Sequence, residues 1–77
     1  MSKWLEVKCR DWATVKRVNK WLAKTQEFSR PGVEELTVAI MDTMLTPAEV
    51  ITALGTDGIL GIGVLETSPP LRACLVP

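Results

Sequence analysis

Between residues 3 and 27 the hydrophobic period of the chain switches once, and that switch constrains the fold more than any other feature. In KWLEVKCR, residues 3–10, Leu5, Val7 and Cys9 point one way, and Trp4, Glu6, Lys8 and Arg10 point the other. A period of two is a strand with one buried and one wetter face. Asp11 then stands as a helix N-cap. From Trp12 to about Glu27 the apolar residues fall at Trp12, Val15, Val18 and Leu22, with Trp21 at the border of the stripe. That spacing is helical. A strand that feeds an amphipathic helix buries one face of each against the other, so the chain begins as two layers.

The rest of the sequence repeats the alternation. SRPGVEE breaks the helix, with Pro31-Gly32 suited to the centre of a type II turn. LTVAIM, residues 36–41, is a strand with both faces largely uncharged, which suits a central position in a sheet. Thr46 and Glu49 form a capping box around Pro47, and the helix that starts there runs to about Leu54. Gly55 ends it in a left-handed conformation, and ILGIGVLE follows as a third strand. LRACLV, beyond the Ser68–Pro70 bend, supplies a final edge strand.

The predicted fold is an α/β, two-layer α+β sandwich of order β-α-β-α-β(-β), one domain over residues 1–77. Two helices cover one face of a mixed sheet of three or four strands and leave the other face open. The alternative is a ferredoxin-like βαββαβ arrangement, which requires a short extra strand near Thr25 to Ser29. The strand-helix order resembles that of the C-terminal domain of bacterial translation initiation factor three, shared by sulfur-carrier proteins of tRNA thiolation, and that of the Alba chromatin proteins. The resemblance covers element order only. Sulfur carriers bear a Cys-Pro-x-Pro motif at the first helix, whereas Cys9 is followed by Arg10-Asp11-Trp12, so the sulfur chemistry does not transfer.

Net charge is zero, yet the charges are segregated. Residues 1–30 hold eight basic residues against three acidic ones, and residues 31–77 hold one against six. Lys16, Arg17, Lys20 and Lys24 share the helix face opposite the apolar stripe, with no acid until Glu27. Such a face suits an anionic partner, nucleic acid included, with Trp21 at its border. The N-terminus is not a signal peptide, and the longest uncharged run is far short of the roughly 20 residues of a membrane helix. The expectation is a soluble, cytoplasmic protein without membrane contact. With no histidine and only Cys9 and Cys74, no metal site is expected. A disulfide between the two cysteines requires the last strand to lie beside the first.

Four of the five glycines lie in GTDGILGIGVL, residues 55–65. A phosphate-binding glycine loop runs from a strand into a helix N-terminus. Here the glycines follow a helix and lead into a strand, so no nucleotide cofactor is expected. Gly61 and Gly63 are two apart and share one strand face, while Leu60, Ile62 and Val64 take the core face. Gly61 and Gly63 with Trp4, Lys8 and Arg10 therefore form the predicted partner-binding surface on the open side of the sheet. No Ser-His or Cys-His pairing is available, and no catalytic residue is assigned. The sequence reads as a non-enzymatic protein-interaction module, of the accessory, adaptor or virus-encoded inhibitor kind. It binds another protein or itself, with a homodimer as one form and nucleic-acid binding through the basic helix as the alternative.

Overall fold

The computed structural model describes residues 3–65. Its elements are β1 (Lys3–Cys9), α1 (Trp12–Lys24), β2 (Phe28–Pro31), β3 (Thr37–Thr43), α2 (Pro47–Leu54) and β4 (Ile59–Leu65). The strands form one sheet in the order β2-β3-β1-β4. Both helices pack on the same face of it. Leu5, Val7, Cys9, Val38 and Ile40 from the sheet meet Val15, Val18 and Leu22 of α1 and Val50 of α2 in a single core. Among the described residues no helix lies on the other face. The architecture is the α+β two-layer sandwich expected, and the final strand predicted at 71–76 lies outside the described residues.

The extra strand exists, and it corrects the sheet. β2 gives the chain the βαββαβ order of the alternative, which separates it from the initiation-factor and Alba orders. The short hairpin between β2 and β3 adds one reversal of chain direction before β3. β3 therefore runs against β1, and all three pairings are antiparallel rather than mixed. β3 is central, between β2 and β1, as its uncharged faces predicted.

Local chemistry sets the helix ends. At α2 the Glu49 amide donates to Thr46 Oγ1, and the Thr46 amide donates to Glu49 Oε1, each over 3.2 Å. The box thus satisfies two of the amides that a helix start leaves open. At α1 the Thr14 amide and hydroxyl both donate to Asp11 Oδ1, at 2.9 and 2.7 Å. α1 ends three residues earlier than predicted, at Lys24, where Thr25 caps it and Gln26 turns to φ 61°.

The Asp11 cap gives a prediction. The Thr14 hydroxyl, then the Thr14 amide, hold the Asp11 carboxyl below its ordinary value of 3.8. A group whose folded pKa is lowered stabilises fully above its unfolded pKa and loses that contribution as pH falls through the folded one. The gap in urea midpoint between the native chain and Asp11→Ala is therefore expected to be constant above about pH 5 and to shrink as pH drops below about 4. An unchanged gap at about pH 2.5 overturns the cap.

The β2–β3 turn differs from expectation as well. Gly32 does not have the positive φ that a type II turn requires. Its amide donates to the Thr37 carbonyl at 3.0 Å. A glycine fits there because a Cβ would run into the Thr37 side chain.

Candidate functional site

The register places side chains on the open face in three rows. Phe28 stands opposite Met41, and Trp4 stands opposite Leu65. The β1–β3 register shifts between Lys3 and Leu5, which sets Met41 and the exposed Asp42 together against Trp4, so these four make an apolar row across one end of the sheet with Asp42 beside it. In the next row Arg30 faces Ala39, Ala39 faces Glu6, and Glu6 faces Gly63. In the last, Lys8 lies between Thr37 and Gly61. The face is thus apolar at one end and charged towards the other. Phe28 is 75% exposed, a large aromatic surface left in water.

The predicted open-face residues divide. Gly61 and Gly63 lie where expected, and a Cβ at either would meet nothing within 4 Å. Lys8 is exposed beside Gly61. Trp4 is on this face but is only 9% exposed. The Arg30 guanidinium carbon sits 4.8 Å from the centroid of its ring, in a cation–π contact. A partner therefore meets Arg30 before it meets Trp4. Arg10 does not belong to the face. It lies in the bend after β1, where it pairs with Asp11 at 3.3 Å and Asp57 at 3.7 Å, and its amide donates to the Gly58 carbonyl. β1 ends at Cys9, so the alternation that assigned Arg10 to the face stops one residue short of it.

β4 holds another departure. Its pairing with β1 shifts between Lys8 and Cys9, so that Cys9 faces Ile59 and Leu60 is the extra residue of a bulge. Ile59 consequently packs against the core, and Leu60 is 68% exposed. Val64 is also mostly exposed, because among the described residues β4 is an edge strand that α2 covers thinly. Of the three residues expected in the core, only Ile62 packs against it.

On the helix side, Lys16, Arg17, Lys20 and Lys24 are all exposed, and α1 contains no acidic residue. Arg17 also donates to the Asp57 carbonyl, which ties α1 to the turn before β4. Trp21 is half-buried against the core. With Arg17, Lys20, Lys24, Ala53 and Leu54 it lines a shallow groove of about 300 Å³ between the helices.

A cavity of about 620 Å³ lies between α1 and the β2–β3 hairpin, and no sequence signal announced it. Trp12, expected in or over the core, forms one wall and is 58% exposed. Leu36, held at φ 61°, packs against the core and lines the cavity beside Glu34 and Glu35.

Cys9 is buried, and desolvation, with the Asp11 carboxylate adding to it, pushes its thiol pKa up. A thiolate is the nucleophilic form, so this thiol is poorly suited to sulfur chemistry. Cys74, the other cysteine of the chain, lies outside the described residues. Among the described residues no group of three metal-ligating side chains comes together, and no helix is long and apolar enough to cross a membrane. The chain matches no protein-family model, no curated protein and no solved structure.

Proposed function

We propose that this protein is a small non-enzymatic interaction module that docks another protein on the open face of its sheet, a second copy of itself being one form of that partner. One observation carries the reading: a face without a helix among the described residues joins Phe28, Met41, Trp4 and Leu65 to a strand whose outward positions are Gly61 and Gly63. Glycine inside a strand gives up packing and usually marks close approach of another backbone or a ligand. Among the described residues nothing lies within 4 Å of a Cβ at either glycine, and a docked partner would supply that approach. Trp4 under Arg30 supplies an aromatic-arginine pair of the kind enriched at binding hot spots. Lys8 and Glu6, on the same face, orient the partner. An accessory subunit, an adaptor or an inhibitor of a larger assembly fits this design.

Gly61→Arg tests it. The added side chain enters open space, so the variant is expected to fold like the native chain. Proteins retained from a lysate of the source cell by the native chain are expected to be lost with the variant. Retention of the same proteins by both overturns the open-face reading.

A second reading rests on α1. Four exposed cations on an acid-free helix can neutralise about four phosphates, which predicts a slope near −3 in log affinity against log salt for single-stranded nucleic acid. Binding with that slope, lost on replacing the four cations with glutamine and spared by Gly61→Arg, selects the second reading over the first.

A further inference from the structure

We propose that the cavity between α1 and the β2–β3 hairpin receives an arginine side chain presented by a partner protein. Its volume of about 620 Å³ falls within the range of working binding pockets, roughly 300–1,000 Å³. Its walls combine two features that chemically suit one kind of guest. The first is aromatic: Trp12 stands in the first turn of α1 and leaves more than half of its surface in water. The second is negative charge: Glu34 and Glu35 line the same cavity, both exposed, and neither forms an ion pair among the described residues.

The one cationic residue of the lining, Arg30, directs its guanidinium to the opposite side of the sheet, over Trp4. A cation entering from solvent therefore finds an indole and two carboxylates. Arginine suits them better than lysine. Its planar group stacks on an indole face while its fork of N–H donors engages a carboxylate in two hydrogen bonds. Asn19 of α1 and Ser29 of β2, whose side chains meet at 3.4 Å, add polar groups to the lining. They suit the main chain on either side of the arginine, which free arginine lacks. The cavity opens on the helix side of the sheet, so the proposal does not rest on the open-face reading.

The test uses the full chain and a blocked peptide with one arginine between glycines, titrated by NMR. Saturable shifts are expected at the Trp12 indole N–H and at the amides of residues 34–37. The same peptide with glutamine in place of arginine is expected to bind about tenfold more weakly, as is the arginine peptide to Glu34→Gln/Glu35→Gln. Both glutamates are exposed, so that variant keeps the fold. Trp12→Ala is a further arm with the same expected loss. The proposal is overturned by shifts that do not saturate, by equal binding of the glutamine peptide, or by undiminished binding to the glutamate variant. Free arginine binding as tightly as the peptide overturns the protein source.

Discussion

Gly58→Ala is expected to lower the unfolding free energy by about 2–4 kcal/mol, Gly55→Ala by about 1–2 kcal/mol, and Gly61→Ala by less than about 0.5 kcal/mol. The three glycines separate three situations. Gly61 has ordinary backbone angles and open space around a Cβ, so alanine there meets no obstacle. Gly55 caps α2 at φ 81° and ψ 178°, a region essentially reserved for glycine, yet a Cβ would touch nothing within 4 Å. Alanine there costs the backbone term alone. Gly58 combines φ 81° with burial, and its Cβ would collide with the Thr14 hydroxyl. That hydroxyl donates to the Asp11 cap, so the collision also reaches the start of α1. Urea unfolding of the three variants, with unchanged slopes, reads the differences. If Gly58→Ala falls within about 0.5 kcal/mol of Gly61→Ala, the close approach of the β4 turn to α1 is wrong.

The order of these effects also marks how far the sequence carries. Signals that act over a few residues were legible. Thr46, Pro47 and Glu49 placed the start of α2, because a capping box is complete within four positions. Alternation in β1 assigned Leu5, Val7 and Cys9 to the core for the same reason. β2 was foreseen only in the ferredoxin-like alternative, near Thr25 to Ser29, and its place at Phe28–Pro31 was not. FSRP is four residues, two of them polar and one a proline, and its strand character comes from pairing with β3 rather than from its own pattern. The arrangement chosen first lacked β2, and so missed everything that depends on it. That includes the antiparallel direction of β3, the Phe28–Met41 end of the apolar row, the Arg30 cover on Trp4, and the cavity that exposes Trp12. The bulge at Leu60 escaped for a different reason: inside a strand, strict alternation is an assumption, and one extra residue exchanges the faces of its neighbours.

Leu5→Ala tests the core that carries both surfaces, with an expected loss of about 2–5 kcal/mol. Leu5 is fully buried and pairs with Ile40 on one side and Val64 on the other, at the centre of the sheet layer facing the helices. Truncation removes apolar contact and leaves a cavity that two neighbouring strands cannot close without breaking their ladder. A 77-residue domain commonly has a stability on the order of 4–11 kcal/mol, so this single change takes a large share of it. Leu60→Ala provides the contrast. The bulge turns Leu60 out to water, and its truncation is expected to cost less than about 0.5 kcal/mol. Strict alternation, which would bury Leu60, predicts a loss several times larger. Equal losses at the two leucines return Leu60 to the core and Ile59 to the open face. The glycine face would then gain an apolar neighbour beside Gly61, so the measurement bears on the docking surface as much as on the core.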